Sequence, residues 1–371
     1  MSKKLVLAGG GHAHMMLLAN LKTITAKGHQ VTVIQPSDFH YYSGMGPGML
    51  STVYQPDDIR FNTRFVVERQ GAEFVKDKVS IIDAAAKKIT TKAGATLSYD
   101  VLSCNTGSFV PFANIEGDAT NIFSAKPIER LLEAQHKIVS LCKSDAISIG
   151  IIGGGPAAVE LAGNACHLAH TTGCKNIEVR LFAGKKMMSH FSSAIQKIIR
   201  RNFVRRDIII DQSGYVDKIV DGTLFLENGE RHTPDIIFPA TGVKPSPVFT
   251  ASGLPTGPEG GLRVNSFLQS NDYDSIFGGG DCIYYDPAPL DKVGVYAVRQ
   301  NPVLLHNVVA SMDGTPLQPF NPGGGYLLIF NLGEKSGALQ KGPFTWGGKG
   351  AFMVKDYIDR KFIKKFQALE S

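Results

Sequence analysis

Two short glycine-rich segments carry the strongest chemical signal in this sequence. Gly9-x-Gly11 and Gly153-x-Gly155 each follow an apolar run and precede a helical pattern. In a strand–turn–helix of this kind, the first glycine permits a tight bend and the second lets a diphosphate approach the backbone. The N–H groups at the start of the helix then bind the anion. The sequence therefore predicts two phosphate-binding turns, and so two bound dinucleotides, in one chain.

The first turn departs from the G-x-G-x-x-G pattern at two places. His14 stands at the third glycine position, which serves helix–strand packing, so we expect a looser contact there without loss of the anion site. Gln35 stands at the end of the second strand, where an acidic residue usually binds a ribose. From this motif alone a purely structural glycine turn stays open. The residues predicted to hold the nucleotide are Gly9, Gly11, His12, Ala13, His14 and Gln35.

The second turn is closer to the pattern, because alanine at its third position is an accepted variant. Pro156 and Ala157 open the helix that follows, and this helix carries Glu160. The next strand ends at 183–186 (AGKK), where no acidic residue is present to bind a 2′-hydroxyl or repel a 2′-phosphate. We predict that a nucleotide with a 2′-phosphate is tolerated beside Lys185. Lysines that merely end a strand are the alternative.

Alternating strand and helix patterns supply the scaffold for both turns. Leu5–Leu7 and Val31–Ile34 are predicted as buried strands, joined by a helix that Gly28 caps in a left-handed conformation. Short strands with polar turns follow at 73–96 and again at 208–230. The order predicts an α/β fold with two Rossmann-like dinucleotide-binding domains, one inserted in the other, each with an antiparallel meander.

We expect three domains. The first is discontinuous, at 1–118 and 236–320, and the second lies at 119–235. The segment 109–119 is rich in turn formers and is interpreted as a linker. The third, 321–371, combines antiparallel strands with a C-terminal helix.

The C-terminal helix has an amphipathic pattern flanked by Lys355 and Lys365. A basic amphipathic helix can lie at a membrane interface, or it can dock on its own core. Both interpretations stay open. The predicted apolar stripe consists of Ala351, Val354, Ile358, Phe362 and Phe366.

Composition and charge narrow the class of protein. With 43% hydrophobic and 19% charged residues, the 371-residue chain can bury an ordinary globular core. The net charge of +6 is dispersed and accompanied by no nucleic-acid-binding motif, so we expect no nucleic-acid partner. No apolar run approaches the roughly 20 residues that cross a bilayer. The five cysteines show neither C-x-x-C nor metal-ligand spacing, which favours reduced thiols, a cytoplasmic setting and no metal site.

Five motifs stand in the order found in the two-dinucleotide-binding flavoproteins of the pyridine nucleotide-disulfide oxidoreductase superfamily. They are GGGHAH, YDVLSCNTGS, GGGPAAVELAG, PDIIFPATGVKP and SIFGGGDC. The chain resembles that superfamily over nearly its whole length. The resemblance implies FAD at the first turn and NAD(P)H at the second. The further cofactor contacts that we expect are Pro47, Thr106, Gly107, Thr241, Gly242, Gly280 and Asp281.

Within the superfamily the chain resembles the type II NADH dehydrogenases. Their nucleotide motif carries a glutamate near the nicotinamide, here Glu160. Their flavin-side segment is similar to VGVYAVRQNPVLLHN, in which Gln300 is kept and Tyr296 replaces an earlier glutamine. The segment FHYYSGMGPGML contains no cysteine, so the dithiol of the disulfide reductases is missing there. YYSGMGPGM and VKDYIDRKFIKKFQ also resemble the flavoprotein domain fused to selenophosphate synthetase.

These resemblances imply an FAD-dependent NAD(P)H dehydrogenase that passes two electrons through the flavin to a quinone-type acceptor. Glu160, Tyr296 and Gln300 are the catalytic candidates. Two alternatives stay open: a redox-sensing flavoprotein, and an enzyme like the sulfide:quinone reductases that uses Cys166 or Cys282. Contact with the inner face of a membrane and formation of a homodimer are further open expectations.

Overall fold

The computed structural model of the chain describes residues 1–112, 114–144 and 146–370. Strands and helices alternate through its first part. The strands there are β1 (Lys4–Ala8), β2 (Gln30–Ile34), β3 (Phe39–Tyr41), β4 (Arg60–Asn62), β5 (Glu73–Val75), β6 (Val79–Asp83), β7 (Lys88–Thr91), β8 (Thr96–Ser98), β9 (Val101–Cys104) and β10 (Ser108–Phe109). The helices are α1 (Met15–Ala19), α2 (Leu21–Ala26), α3 (Gly46–Leu50), α4 (Pro56–Ile59) and α5 (Thr63–Arg69).

The first sheet is built around β1, whose apolar side chains are buried on both faces. β1 pairs in parallel with β2 and β9, with Leu5 opposite Val31 on one side and Val101 on the other. The predicted strands and the left-handed cap at Gly28, with φ of +85°, are confirmed. β5 also joins this parallel sheet, so the predicted meander starts later, at β6, and comprises β6, β7 and β8.

The middle of the chain repeats the pattern. Its strands are β11 (Ile115–Glu116), β12 (Ala146–Ile152), β13 (Asn176–Phe182), β14 (Ile209–Asp211), β15 (Val216–Val220), β16 (Thr223–Leu226), β17 (Arg231–His232), β18 (Ile236–Pro239) and β19 (Lys244–Pro245). Its helices are α6 (Glu129–Leu141), α7 (Pro156–Thr171), α8 (Ser193–Val204) and α9 (Val248–Ala251).

The second sheet has the strand order β14-β13-β12-β18, all parallel, and its meander is formed by β15, β16 and β17. The sequence predicts that the chain returns to the first domain at residue 236. Because β18 pairs with β12, this strand still belongs to the second sheet, and the return comes one strand later. The interpretation of 109–119 as a linker also needs correction, because β10 pairs with β19 and β11 with β15. Residue 113 of that segment lies outside the described residues.

The last part of the chain closes the first sheet. Its strands are β20 (Leu262–Val264), β21 (Ile276–Gly278), β22 (Ile283–Tyr285), β23 (Leu328–Asn331), β24 (Gly337–Lys341) and β25 (Phe344–Gly348), and its helices are α10 (Gly294–Asp313) and α11 (Lys349–Gln367). β21 pairs with β9, so the second sheet is inserted into the first, and the predicted fold class is confirmed. We call the two parts the first unit and the second unit.

The C-terminal antiparallel sheet, β23-β24-β25, packs against α11, and of the stripe predicted on that helix only Ala351 and Phe366 are buried. Ile358 is 43% exposed and Val354 is only half-buried. Lys355 and Asp359 are buried instead, because their side chains neutralise each other at 2.8 Å. Within the described ranges, no helix combines the length and the apolar character that a bilayer span needs. The buried residues of α11 are Ala351, Phe352, Lys355, Asp359, Ile363 and Phe366.

Candidate active site

The first glycine turn lies at the carboxyl end of β1. Gly9 has φ of +95°, and its N–H donates to the Ile34 carbonyl oxygen at 2.8 Å. A Cβ at Gly9 would come within 2.2 Å of the Asn105 carbonyl oxygen, so only glycine fits this crossing of β1 and β9. Gly11 then ends the turn in extended geometry, and the chain enters the short 3-10 turn from His12 to His14 that leads into α1.

His14 takes the place of the third glycine by bonding to both neighbouring strands. Its Nδ1 lies 2.5 Å from the Gly9 carbonyl oxygen and its Nε2 lies 2.8 Å from Ser103 Oγ. Because a carbonyl oxygen only accepts, Nδ1 carries the proton and Nε2 accepts from the serine hydroxyl. Burial lowers the pKa of His14 to about 4, so the ring is neutral at pH 7. The expected looser contact is therefore wrong: the imidazole fills and fastens the turn.

Several buried polar atoms around the first turn have no partner among the described residues. Gln35 donates its amide N–H groups to the Ser37 and Phe39 carbonyl oxygens, which leaves its Oε1 unpaired beside Gly10. Such atoms at a phosphate-binding turn fit the ribose and ribityl hydroxyls of FAD, because buried polar groups are almost always hydrogen-bonded. The other unpaired atoms are Asn105 Nδ2, His12 Nε2 and His40 Nε2.

The segment at 280–281 lies close to the first turn, where a Cβ at Gly280 would be 3.0 Å from Asn105 Oδ1 and 3.7 Å from Ala13 Cβ. Gly280, with φ of +76°, donates its N–H to Gln300 Oε1 at 2.7 Å. Asp281 accepts from Lys126 Nζ at 2.6 Å and from Ser108 Oγ at 2.7 Å. Burial opposes ionisation of Asp281, but Lys126 and Ser108 outweigh it and lower the pKa of the carboxyl.

A cavity next to this segment is lined by four of the residues predicted for the site, which are Gly280, Asp281, Tyr296 and Gln300. Tyr296 packs edge-on against Tyr326, with ring centroids 5.5 Å apart. Gln300 is only 1% exposed, and its carbonyl already holds the Gly280 N–H. The structure therefore groups Tyr296 and Gln300 with the FAD-side residues.

The second glycine turn repeats the first. Gly153 has φ of +133°, and a Cβ there would lie 2.3 Å from the Ala240 carbonyl oxygen. A Cβ at Gly155 would meet nothing within 4 Å, and no side chain caps the helix that begins at Pro156. The free backbone N–H groups at the start of this 16-residue helix, which includes Ala157, fit a dinucleotide diphosphate.

The remaining predicted contacts occupy equivalent places in the two units. Thr106-Gly107 follows β9 and Thr241-Gly242 follows β18, and both glycines have positive φ, +71° and +107°. Thr241 Oγ1 donates to the Pro111 carbonyl oxygen at 3.1 Å. Lys185 is exposed beyond the end of β13. Pro47 is half-buried in α3, which packs against α6 and α7.

Glu160 belongs to a group that we call the buried polar cluster, made of Tyr42, Glu160, Lys355 and Asp359. Tyr42 Oη donates to Asp359 Oδ1 at 3.0 Å, and Lys355 Nζ donates to Asp359 Oδ2 at 2.8 Å. Glu160 Oε1 accepts from the Asn331 N–H at 2.7 Å. The cluster joins α7 of the second unit to α11 and to the segment after β3.

The electrostatics of this cluster determine which of its groups takes up or releases a proton near neutral pH. Burial raises the pKa of Glu160 to about 7, although Lys355 and the Asn331 N–H oppose this effect. Burial disfavours the Lys355 ammonium, but Asp359 and Glu160 together raise its pKa. Burial also raises the pKa of the Asp359 carboxyl, although Lys355 and Tyr42 oppose this effect. Lys355 and Asp359 form a close pair at 2.8 Å, and Glu160, with a pKa of about 7, is the carboxyl that titrates near neutral pH.

The first turn reaches this cluster through aromatic contacts. The His12 ring lies 5.2 Å from the Tyr42 ring and 4.9 Å from the His40 ring. Burial lowers the pKa of His12 to about 4, with Asp281 opposing the effect, so His12 is neutral at pH 7. Phe362 of α11 covers both His12 and Tyr42, at 6.2 Å and 4.9 Å between ring centroids.

Tyr42, Lys126, Lys355 and Asp359 were not identified as site residues from the sequence. The spacing of Lys355 and Asp359, four residues apart on one helix face, was a signal that could have indicated a pair. Nothing local to Lys126 indicates its contact, because Asp281 is far away in the sequence.

Cys166 and Cys282, the candidates for the sulfide-oxidising alternative, are buried against backbone carbonyl oxygens. Cys166 Sγ lies 3.9 Å from the Arg206 carbonyl oxygen, whereas Cys282 Sγ contacts the Cys104 and Gly279 carbonyl oxygens at 3.4 and 3.3 Å. Burial raises the pKa of both thiols, so both remain protonated near neutral pH.

One group of potential metal ligands exists that the sequence spacing does not reveal. Asp211, Glu230 and His232 place three ligand atoms within 4.8 Å of one another. Asp211 is already bound to Arg180 at 3.3 Å and to the Ser213 hydroxyl at 2.7 Å. Ion pairs and hydrogen bonds explain why these side chains lie close together.

Known proteins resemble this chain over nearly its whole length. The chain is similar to the type II NADH:quinone oxidoreductase of Staphylococcus saprophyticus, with 25% identity over 98% of this chain and 96% of the relative. The corresponding protein of Staphylococcus aureus strain NCTC 8325 is 24% identical over the same shares.

Two solved structures share the fold. NDH2 from Plasmodium falciparum in complex with NADH has a TM-score of 0.80 at 13% identity and covers 99% of both chains. The sulfide:quinone oxidoreductase of Aquifex aeolicus has a TM-score of 0.79 at 21% identity and covers 99% of this chain and 92% of its own. The profile of the pyridine nucleotide-disulphide oxidoreductase family matches residues 3–311. The chain therefore belongs to the pyridine nucleotide-disulphide oxidoreductase family.

Proposed function

We propose that the chain is an FAD-dependent NAD(P)H dehydrogenase that delivers two electrons to a quinone. The observation that carries this proposal is the buried polar cluster, which includes Glu160 on the helix after the second glycine turn and reaches the first turn through the Tyr42 and His12 rings, 5.2 Å apart. Similarity to type II NADH:quinone oxidoreductases over 98% of the chain supports a quinone as acceptor. Bound FAD supplies the two-electron chemistry between the nucleotide and the acceptor.

The first unit is the part of the chain that would bind FAD. Gly9 and Gly11 let a diphosphate reach the start of the helix, and Gln35 Oε1 accepts from a ribose hydroxyl. The first turn also offers Asn105 Nδ2 as a donor. Asp281 is held in place by Lys126, so it remains an ionised acceptor for a hydroxyl of the cofactor.

The second unit would bind the nicotinamide nucleotide at Gly155 and the N-terminus of α7. Glu160 lies one turn further along the same helix, on the side that faces Lys355. The same helix would therefore bind the nucleotide at its N-terminus and place the Glu160 carboxyl near the nicotinamide.

We infer the role of Glu160 from the number of protons that the overall reaction takes up. Reduction of a quinone to a quinol takes up two electrons and two protons, while oxidation of NAD(P)H releases two electrons and one proton. One proton per turnover must therefore come from water. Glu160, with a pKa of about 7 and the Lys355–Asp359 pair behind it, can accept that proton and release it during the reaction.

The acceptor would lie beside the half-buried Tyr296, since the adjoining cavity, with a volume of about 10 Å³, is too small to hold a quinone ring. Gln300 has its carbonyl committed to Gly280, so we infer that it positions the segment at 280–281 and that Tyr296 contacts the quinone. The Tyr326 ring packs edge-on against Tyr296 and restrains its orientation.

The acceptor's chemistry also gives a reason for membrane contact, because long-chain quinones reside in lipid. The outer face of α11 exposes Met353 (67%), Tyr357 (66%) and Ile358 (43%). Exposed lysines on the same helix, Lys361 and Lys364, would reach anionic headgroups. We infer that this face rests on the inner surface of the membrane.

Steady-state turnover of the purified holoprotein with NADH and a water-soluble quinone analogue tests the enzyme function. We expect sustained turnover in the wild type. Glu160→Gln should lower the turnover number by about 100-fold or more, which is the usual contribution of a positioned acid–base group. The matched control is Glu227→Gln, an exposed glutamate of the same unit.

The outcomes separate the candidates. Reduced flavin that persists for minutes in the presence of quinone would favour the redox-sensing alternative. Flavin reduction by sulfide that is lost in Cys282→Ser would favour the sulfide-oxidising alternative. Equal turnover in Glu160→Gln and wild type would remove the proton role of Glu160.

Vesicle sedimentation tests the membrane contact. Wild-type protein should sediment with vesicles that contain phosphatidylglycerol, and the Lys361→Glu, Lys364→Glu double variant should stay in the supernatant. Each lysine near such a surface contributes about 1 kcal/mol. Lys197→Glu, in an exposed position on α8, is the control. Equal sedimentation of the wild type and the double variant would contradict this contact.

A further inference from the structure

The two units can be aligned by a hydrogen bond that both contain, from the first glycine of the turn to the end of the second strand. In the first, the Gly9 N–H donates to the Ile34 carbonyl oxygen at 2.8 Å, and in the second the Gly153 N–H donates to the Phe182 carbonyl oxygen at 2.9 Å. Gln35 and Ala183, the residues that follow those carbonyls, are therefore equivalent. This is the position at which a dinucleotide-binding unit meets the adenine ribose.

The space beside the turn is filled differently in the two units. A Cβ at Gly10 would lie 2.2 Å from the side-chain oxygen of Gln35. The equivalent Cβ at Gly154 would instead meet backbone, with the Ala183 carbonyl oxygen at 2.9 Å and the Lys186 carbonyl oxygen at 3.1 Å. In the second unit the main chain itself crosses beside the turn.

The crossing segment, 183–188, is held at both ends. The Met188 N–H donates to the Gly154 carbonyl oxygen at 2.6 Å, and the Ala183 N–H donates to the Asp211 carbonyl oxygen at 2.8 Å. In the middle, Gln212 Nε2 donates to the Lys185 carbonyl oxygen at 2.8 Å. The backbone that carries the two lysines therefore has a fixed position relative to the turn.

The charge at this position is positive. Lys185 and Lys186 are exposed, and among the described contacts neither ammonium has a hydrogen bond or an ion pair. Of the nearby acids, Asp211 shares Arg180 with Glu178 and accepts from Ser213, and Glu230 lies 3.6 Å from His232. Neither carboxylate is paired with a lysine of this segment. No carboxylate follows β13 to accept from a 2′-hydroxyl or to repel a 2′-phosphate.

We propose that Lys185 and Lys186 form the subsite for the 2′-phosphate of NADPH, and that NADPH is used at least as well as NADH. This inference rests on the proposed function, because it places the nicotinamide nucleotide on the second turn. An acid at the end of the second strand selects NADH by bonding the 2′-hydroxyl. Ala183 removes that selection, and two lysines on a fixed backbone supply charge-assisted bonds to the phosphate instead.

Initial rates of the holoprotein with each nucleotide and a quinone analogue test the subsite. We expect kcat/KM for NADPH to equal or exceed that for NADH. The double variant Lys185→Ala, Lys186→Ala should lower kcat/KM for NADPH by about tenfold or more and leave the NADH value within about twofold. Ala183→Asp should shift the ratio toward NADH by at least about tenfold. The matched control is Lys197→Ala.

A second probe avoids dependence on catalysis. Adenosine 2′,5′-bisphosphate should inhibit competitively and more tightly than adenosine 5′-monophosphate, and the double lysine variant should remove this difference. Normal flavin reduction by NADH with an NADH preference above about a hundredfold overturns the subsite alone. Flavin that neither nucleotide reduces overturns the proposed function, and the subsite with it.

Discussion

Both units of this chain contain the same kind of glycine turn, but different side chains surround it. A Cβ at Gly9 would lie 2.2 Å from a backbone carbonyl oxygen, and a Cβ at Gly153 would lie 2.3 Å from one. Around the first turn, histidine, glutamine and asparagine side chains supply unpaired polar atoms. Around the second, the third position is Ala158 and the strand end is Ala183. The first unit is built to retain a ligand through many side-chain bonds.

The second unit leaves its ligand site open, which suits a substrate that must bind and leave in every turnover. Gly155 faces empty space, and the helix start has no side-chain cap. The helix after this turn carries Glu160, whose pKa responds to Lys355 of α11. The two turns therefore share a backbone geometry and differ in how many side chains close them.

The largest effect is expected from blocking each turn separately. Gly9→Ala should yield protein with almost no bound flavin, because the new Cβ would lie 2.2 Å from a backbone oxygen. Gly155→Val should keep its flavin and its stability, because no protein atom lies within 4 Å, yet weaken NAD(P)H binding by about 100-fold or more. Flavin absorbance per protein and nucleotide titration measure both. Loss of flavin in Gly155→Val would break the assignment of the two turns.

The buried polar cluster should give the next largest effect. Asp359→Leu removes the carboxylate that neutralises the buried Lys355 ammonium and leaves the Gly44 carbonyl oxygen, at 2.8 Å, as its hydrogen-bond acceptor, so we expect the free energy of unfolding to fall by about 3–5 kcal/mol. Adding Lys355→Met should restore much of the loss, since an apolar pair tolerates burial. Urea unfolding of the holoprotein measures both variants. A double variant as unstable as the single one would show that the pair is not the cause.

His14 should make the first unit sensitive to acid. The pKa of His14 is about 4 when folded and 6.5 in the unfolded reference, so the unfolded chain binds the proton more readily between these values. Stability from this group is complete above pH 6.5 and is lost as pH falls toward 4, by about 3 kcal/mol. Unfolding of wild type and His14→Gln at pH 7 and pH 5 measures the difference. The same acid-induced loss in both proteins would contradict the role of His14.

Gln35 should give the smallest effect. Gln35→Ala removes the free Oε1 that would accept from the FAD ribose, together with the amide N–H groups that donate to Ser37 and Phe39, so flavin affinity should drop by about 1 kcal/mol or more. Gln35→Glu keeps an acceptor but turns a carboxylate oxygen toward the Ser37 and Phe39 carbonyl oxygens, so it should bind flavin less tightly than wild type. Flavin release measured by fluorescence compares the three proteins. Unchanged affinity in Gln35→Ala would mean that its free oxygen faces no ligand.

The sequence was sufficient for the parts of the molecule that depend on local geometry. Gly9, Gly153 and the strands around them follow from short motifs, because a tight strand–helix turn needs particular residues at particular spacing. The fold class followed from the order of such motifs, although β18 had to be reassigned to the second sheet. Strand order depends on pairing partners far apart in the chain, which local patterns do not encode.

The polar cluster was missed because the burial of Lys355 depends on Gly44 and Glu160, which are far away in the sequence, as well as on Asp359 one helical turn away. Lys355 looks like a surface residue until Asp359 and Glu160 are placed around it. The apolar stripe on α11 was therefore assigned partly to the wrong face. Likewise, the looser packing expected at His14 ignored its bond to Ser103, on a strand 89 residues away.

The central claim is that two different dinucleotides bind the two turns and that electrons pass from one to the other. Anaerobic titration of the purified yellow holoprotein with NAD(P)H, followed by a quinone analogue, tests it most directly. We expect the oxidised flavin absorbance to be lost with one equivalent of nucleotide and to recover fully when quinone is added. Protein that binds no flavin, or flavin whose absorbance NAD(P)H leaves unchanged, would contradict it.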